Sequence, residues 1–441
     1  MPSPARCYYL EIYGCQMNVA DGELLAGILE ADGWTPTSKI ERADLILVNT
    51  CAVRERAAQR VIGHIQSYRP LKRRRPQLRI VMAGCLARFG GEALAARLPE
   101  VDVFVGPDAY RQLPALLAEG GPRRATRHDP RETYAGLHPR RQPGVNAWLS
   151  IMRGCNRMCS YCMVPLARGR ERSVPAQTVV REARAIVAAG FPSITLLGQT
   201  VTSYRDGERD FAGLLDELAE IDGLQRIRFL SPHPADFDRR LLETLARHAT
   251  ICRHMHLPLQ SGSDRVLTAM RRGYTRAEYL ELVAAARDRL PDLAITTDLI
   301  VGFPGESDED FEATLAVMRR VRFDQAFMFA YSPRAGTYAA RRLSDDVAPE
   351  RKRARLEAMI ALQETHARER YAAWVGRTAV VLVEGPARAP AGHGYGRSDD
   401  FKDVVFAPAG AAVPEPGELV TVRVGSATSH TLKGMQVAGD R

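Results

Sequence analysis

The 441-residue sequence predicts an α/β protein in three parts. These are an N-terminal doubly wound parallel sheet, a central partial (β/α)6 barrel and a small C-terminal antiparallel β-barrel of oligonucleotide-binding type. Three observations predict it. Apolar, β-branched runs alternate with helical patterns up to residue 120; six more strand–helix units begin at Trp148; and from Gly376 short β runs are separated only by turns. The expected boundaries are 5–120, 121–145, 146–374 and 375–438.

The first part reads as strands near 7–13, 44–49, 78–83 and 101–105, with helices near 21–32, 53–69, 90–98 and 108–118. Residues 121–145 are rich in Gly, Pro and Arg and read as a linker. Barrel strands are expected near 148–153, 193–198, 226–231, 254–259, 294–302 and 325–332, and a charged helix over 349–374. The tail carries β runs at 378–383, 403–406 and 419–424.

The run Cys155-Asn156-Arg157-Met158-Cys159-Ser160-Tyr161-Cys162 carries the chemistry. Thiolates spaced C-x3-C-x2-C suit three irons of a [4Fe–4S] cube, leaving the fourth iron open. A structural zinc site would need a fourth ligand nearby, and none is there. The run follows the first barrel strand and so falls at the barrel mouth. Cys15, Cys51 and Cys85 each follow an apolar run and precede a helix. Carboxyl ends of parallel strands share one edge, so these three converge into a second three-thiolate site; small residues at helix starts are the plainer alternative. Cys7 and Cys252 read as core residues.

An open iron calls for a bidentate ligand, and S-adenosylmethionine offers an amino and a carboxylate group. Candidate contacts for it are Gly198, Gln199, Ser231, Gln260 and Gly302 at strand ends and Asp298 within the fifth strand. Glycine lets backbone approach a ligand, and Asp298 can accept from hydroxyl or amine groups. His233, His254 and His256 read as hydrogen-bonded rim residues, with metal ligation as the alternative.

The formal charge of +9 points to an anionic partner. Residues 1–145 hold 21 Lys/Arg against 15 Asp/Glu, residues 146–374 hold 33 against 30, and residues 375–441 hold 7 against 7. The excess is therefore mainly N-terminal and includes Lys72-Arg73-Arg74-Arg75. Charge reversal at Arg73, Arg74 and Arg75 is expected to weaken RNA binding and flatten its salt slope. Eight cysteines in a chain this long do not read as a disulfide scaffold. With no signal pattern and no long apolar span, the expectation is a cytoplasmic protein without membrane contact. No Walker loop, G-x-S-x-G or H-E-x-x-H supports a nucleotidase or hydrolase.

Taken together, the motifs resemble the radical-SAM methylthiotransferases, most closely the tRNA-modifying MiaB type. The matching segments include Tyr13-Gly14-Cys15-Gln16-Met17-Asn18, Asn49-Thr50-Cys51-Ala52-Val53-Arg54-Glu55 and Ala83-Gly84-Cys85. Met152 through Cys162, His256 through Ser263, Ile300 through Glu306 and Ser429 through Gly434 extend the match along nearly the whole chain. The resemblance implies two [4Fe–4S] clusters, with Cys155, Cys159 and Cys162 holding the one that cleaves S-adenosylmethionine and Cys15, Cys51 and Cys85 an auxiliary one that supplies sulfur. It implies methylthiolation at C2 of N6-isopentenyl(dimethylallyl)adenosine at position 37 of tRNA, with two S-adenosylmethionine molecules per turnover. Implied partners are the tRNA anticodon arm, an electron donor such as flavodoxin or ferredoxin, and an iron–sulfur carrier, for a monomeric enzyme. The tail resembles the RNA-gripping TRAM module.

Two departures stand out. Thr200 follows Gly198-Gln199 where the family usually has Asn, so a contact near cofactor or substrate is expected to differ. The stretch Arg397-Ser398-Asp399-Asp400-Phe401-Lys402-Asp403 is acidic for an RNA module, which shifts the expected electrostatics to the N-terminal and linker arginines. The sister readings are the same chemistry on threonylcarbamoyl-adenosine or on a ribosomal-protein aspartate. A non-catalytic iron–sulfur RNA-binding protein is the reading from another class.

Overall fold

The computed structural model describes residues 6–52, 55–119 and 123–438; Val53 and Arg54 of the second cysteine motif and residues 121–122 of the expected linker lie outside them. The first domain runs β1 (Cys7–Ile12), α1 (Gln16–Ala31), β2 (Thr35–Pro36), β3 (Leu45–Thr50), α2 (Glu55–Gln66), α3 (Arg69–Arg74), β4 (Arg79–Gly84), α4 (Cys85–Phe89), α5 (Gly91–Arg97), β5 (Val103–Val105), α6 (Leu113–Glu119) and β6 (Arg123–Ala125). Its six strands are all parallel, in the order β2-β1-β3-β4-β5-β6. Strand alternation sends Ile46, Val48, Ile80 and Met82 to one face, under α2 and α4. Leu45, Leu47, Val81 and Ala83 go to the other, under α1 and α6. Two separate cores on one sheet are what double winding requires.

Residues 123–145 of the expected linker form an ordered strap. Arg123–Ala125 is the sixth strand, paired with β5. Tyr134 stacks on Tyr110 with ring centroids 5.4 Å apart, and its hydroxyl donates to Pro107 O. Farther on, the Arg140 N–H donates to Glu23 O at 2.9 Å. Scattered aromatic anchors carry no period, so the strap reads as loop in sequence.

The second domain contains β7 (Asn146–Ser150), β8 (Met152–Arg153), α7 (Val164–Arg168), β9 (Arg172–Ser173), α8 (Ala176–Ala188), β10 (Ser193–Leu197), the hairpin β11 (Arg205–Asp206) and β12 (Arg209–Asp210), α9 (Phe211–Ala219), β13 (Arg226–Phe229) and α10 (Arg239–Arg247). It continues through β14 (His254–His256), α11 (Asp264–Ala269), α12 (Arg276–Arg289), β15 (Ala294–Val301), α13 (Asp308–Val321), β16 (Gln325–Ala330), α14 (Tyr338–Arg342) and α15 (Pro349–Ala372). Parallel sheets β7-β10-β13 and β14-β15-β16 meet at the Ile227–Ile251 bridge, which makes an open six-stranded partial barrel. The expected first strand breaks at Ile151, after which β8 pairs antiparallel with β9. The fourth stops at His256 because Pro258 has no N–H to give the ladder.

The tail forms a closed barrel of β17 (Thr378–Pro386), β18 (Gly394–Ser398), β19 (Asp403–Ala407), β20 (Leu419–Ala427) and β21 (Thr431–Gln436), in the order β17-β18-β19-β21-β20. The expected all-antiparallel pattern needs one correction, because β19 and β21 pair in parallel to close it. Strand β18 has little apolar signal, since a Cβ on Gly394 would lie 2.3 Å from Phe406 Cζ and only glycine fits. Arg226, the first residue of β13, donates to Val380 O at 2.8 Å, and Arg228 donates to Ser398 O at 2.9 Å. The Arg228 guanidinium lies 4.4 Å from the Phe401 ring centre. The tail therefore seats on the amino end of the central barrel, and the stretch 397–403 makes that contact through the Ser398 carbonyl, the Phe401 ring and Lys402.

Candidate functional site

The first trio is built by three strand ends. Gly14 (φ 134°) precedes Cys15, and a Cβ there would lie 2.6 Å from Cys51 Cβ. Gly84 (φ 93°) precedes Cys85, where a Cβ would lie 2.5 Å from both Asn49 Oδ1 and Thr50 O. Glycine is needed at both places for φ and for room. Asn18 Nδ2 donates to Thr50 O at 3.0 Å, and Asn49 Nδ2 donates to Asn18 O at 2.8 Å, locking the turns together. Cys15, Cys51 and Cys85 line one cavity of about 170 Å³, with Arg168 beside them.

Its opposite wall comes from the central barrel: Leu197 at the end of β10 with Gly198 and Gln199 after it, and Leu230 and Ser231 after β13. The carboxyl edge of the first sheet thus faces the mouth of the second domain. Met163 and Val164, next to Cys162, also line the space.

The second trio sits at that mouth. Gly154 (φ 77°) turns the chain into Cys155, whose N–H donates to Gly169 O at 3.1 Å. Donors surround the sulfurs. Thr200 Oγ1 is 3.0 Å from Cys155 Sγ, Arg157 N donates to Cys155 Sγ at 3.3 Å, Arg272 Nη1 to Cys159 Sγ at 3.2 Å and Val164 N to Cys162 Sγ at 3.4 Å. Burial pushes the Cys155 and Cys85 thiols up and takes Cys162 to about 12. The Cys51 thiol brings Cys15 down to about 6 against burial, helped by the Arg168 charge. None of the eight cysteines is in a disulfide.

This donor set fits iron–sulfur cubes. Burial favours the protonated thiol at Cys155 and Cys162, so a metal must displace the proton, and the N–H groups aimed at Cys155, Cys159 and Cys162 then stabilise the thiolates. Among the described residues no His, Cys, Asp and Glu groups close on a single ion. The first trio instead rings a space several times the ~30 Å³ share of a water molecule.

Of the expected S-adenosylmethionine contacts, Gly198, Gln199 and Ser231 line the cavity. The Gln199 side chain also accepts the Gly154 N–H. Gln260 (φ 72°) sits farther round, its N–H donated to Asp298 O at 2.8 Å, and Asp298 Oδ2 lies 3.4 Å from His256 Nε2. Gly302 is glycine for another reason: a Cβ would lie 2.3 Å from Lys352 Cγ, so the close approach is to α15. His233 caps a short turn by accepting from Ala235 N at 3.3 Å, and burial, with Arg272 and Arg157, pushes its pKa down to about 2. His254 and His256 both bond Thr296 Oγ1, so all three histidines are hydrogen-bonded.

Comparison with known proteins matches the same three parts. The radical SAM superfamily matches residues 149–318, the uncharacterised protein family UPF0004 residues 7–106, and the TRAM domain residues 373–437. The tRNA-2-methylthio-N(6)-dimethylallyladenosine synthase of Chlorobium limicola is 44% identical over 438 residues, 98% of each chain. That of Porphyromonas gingivalis is 46% identical over 441 residues, covering 97% of this chain and 94% of its own. The chain belongs to this synthase family. In fold, this synthase-family chain resembles the radical S-adenosylmethionine methyltransferase TsrM from Kitasatospora setae, solved with cobalamin and a [4Fe-4S] cluster. The TM-score is 0.56 at 16% identity, over 76% of this chain and 74% of that one.

Arg168, Arg153, Asp21, Arg272 and the Thr200 contact were not singled out as site residues from sequence. Only Thr200 carried a signal, as a departure from the family pattern.

Proposed function

We propose that this chain methylthiolates C2 of N6-isopentenyl(dimethylallyl)adenosine at position 37 of tRNA, by radical chemistry that uses two S-adenosylmethionine molecules per turnover. The observation that carries the reading is the meeting of the first cysteine trio and the barrel mouth at one cavity. Cys155, Cys159 and Cys162 would hold one [4Fe–4S] cluster, and Cys15, Cys51 and Cys85 would hold the auxiliary one. When bound, the two groups supply the electron that cleaves S-adenosylmethionine and the sulfur that is transferred.

The protein's part is placement and exclusion of water. Thr200, Arg157, Arg272 and Val164 donate to the thiolates of the mouth trio. Gly198, Gln199 and Ser231 form the wall where S-adenosylmethionine binds, with Gln260, Asp298 and Gly302 along the rest of the rim. Met163, Val164, Ala167, Leu197 and Leu230 make much of the lining apolar, which keeps solvent from a reactive radical. An unpaired anticodon-loop base can be splayed into such a space.

The same reading takes tRNA through its anticodon arm, a flavodoxin- or ferredoxin-type electron donor and an iron–sulfur carrier. Eight cysteines outside any disulfide suit a reducing cytoplasm, and among the described residues no helix is long and apolar enough to cross a membrane. Packing of the three parts within one chain supports a monomer. Stretch 397–403 of the neutral tail is turned against the barrel, so its composition carries no argument for a protein substrate.

The test is an anaerobic assay of iron-reconstituted protein with S-adenosylmethionine, reductant and tRNA bearing isopentenyl- or threonylcarbamoyl-adenosine, read by nucleoside mass spectrometry. A methylthio adduct on the isopentenyl nucleoside is expected. Adduct on the threonylcarbamoyl nucleoside alone, or deoxyadenosine with no RNA adduct, overturns the substrate.

A further inference from the structure

A buried charge network joins the two cysteine trios. Asp21, fully buried in α1, accepts from Arg168 Nη2 through Oδ2 and from Arg153 Nη2 through Oδ1, each at 2.7 Å. Tyr110 also donates its hydroxyl to Oδ2, at 3.1 Å. Asp21 lies six positions after Cys15 on the helix that Cys15 starts, and Arg153 lies two before Cys155.

Arg168 touches both sides. Its Nε donates to Cys85 Sγ at 3.2 Å, and the next residue, Gly169, gives its carbonyl to the Cys155 N–H at 3.1 Å. Arg168 ends α7, the short helix that follows Cys162. A second buried ion pair holds the same seam, with Arg172 and Asp108 joined at 2.8 Å and 3.0 Å. Burying two arginines on one carboxylate is costly unless geometry is kept. Such a network suits fixing position far better than adding stability.

We propose that Arg168, held by Asp21, is a positioning residue that sets the register between the auxiliary trio and the trio at the barrel mouth. This rests on the cluster assignments proposed above. Radical formation needs only the mouth trio, whereas product needs the sulfur-bearing trio placed against the same base. A displacement of about 1 Å can cost about 10²-fold in a step that depends on placement. Loss of register therefore separates the two half-reactions: deoxyadenosine still forms, and methylthio product falls behind.

The test compares Arg168→Lys and Asp21→Asn with wild type as reconstituted full-length protein. The ratio of deoxyadenosine to methylthio nucleoside is expected to rise about tenfold or more, whatever the absolute rates. The spin–spin broadening between the two reduced clusters in electron paramagnetic resonance is expected to change alongside it. A proportional loss of both products, or a wild-type ratio with wild-type broadening, overturns the proposal. If Asp21→Asn does not fold, Arg168→Lys decides, since it keeps the charge and loses the Nε contact. Failure of the parent reading looks different, because wild type itself would then make no methylthio nucleoside.

Discussion

Lys402 of the terminal barrel donates to Asp324 of the central barrel at 3.0 Å, across 78 residues of sequence. Both are buried, at 2% and 5% exposure, and Arg370 from α15 reaches the same carboxylate at 3.1 Å. One aspartate thus ties three elements at the amino end of the barrel. Asp324→Ala leaves Lys402 with Asp400 alone and should cost about 3–5 kcal/mol. Chemical denaturation measures it; a loss below 1 kcal/mol would show the tail is held by its backbone contacts.

The same pair gives a pH dependence. Burial alone would raise the Asp324 pKa, but Lys402 and Arg370 overcome it and hold it below the ordinary 3.8. A depressed acid binds fewer protons folded than unfolded, so its contribution is full above that value and is lost as pH falls below it. For Lys402, burial would lower the pKa, yet Asp400 and Asp324 raise it above 10.5, so its share is lost only as pH rises past that range. The stability gap between wild type and Asp324→Asn should be flat at neutral pH and narrow below about pH 4. Equal gaps at pH 3 and pH 7 would refute this.

Thr200 offers a test confined to one hydroxyl. Its Oγ1 lies 3.0 Å from Cys155 Sγ, and a cluster-bound sulfur can only accept that bond. Removing a donor to a cluster sulfur destabilises the more negative, reduced state. Thr200→Val should therefore lower the midpoint potential by about 60 mV, the equivalent of ~1.4 kcal/mol for one electron. Thr200→Ser should restore it. An unchanged potential in potentiometric titration would show that the hydroxyl does not face the cluster.

The two trios should separate by mutation. Cys159→Ala should halve the iron content after reconstitution and abolish deoxyadenosine formation. Cys51→Ala should also halve the iron but leave deoxyadenosine forming, with no methylthio product. Product from either variant would break the two-cluster assignment.

How much could be read beforehand follows from locality. Strand ends and the glycines before Cys15, Cys85 and Cys155 are local signals, and they placed the cysteines. Nothing local marks Arg168, which meets a buried carboxylate 147 residues away in sequence. In the basic run at 72–75, Lys72 and Arg75 find acidic partners within the first domain. They pair with Asp102 and Asp44, which precede β5 and β3, and so lie at the sheet edge away from the cysteines. The tail stretch 397–403, acidic in sequence, docks on the central barrel through the Ser398 carbonyl, Phe401 and Lys402. Charge in a sequence shows its partners only after folding.

Gly154 tests whether the turn into Cys155 is as constrained as it looks. At φ 77° a Cβ would lie 1.9 Å from Arg170 O, and the same residue donates its N–H to Gln199. Gly190 makes the control, with φ 91° and nothing within 4 Å of a Cβ. Gly190→Ala should cost only the backbone conformation, about 1–3 kcal/mol. Gly154→Ala carries that cost and an overlap with backbone that cannot swing away, so Arg170 or Cys155 must shift. Thermal unfolding should rank Gly154→Ala well below Gly190→Ala, and only Gly154→Ala should lose iron from the mouth trio. Equal stability and equal iron in the two variants would mean that the Cys155 turn yields without moving the thiol.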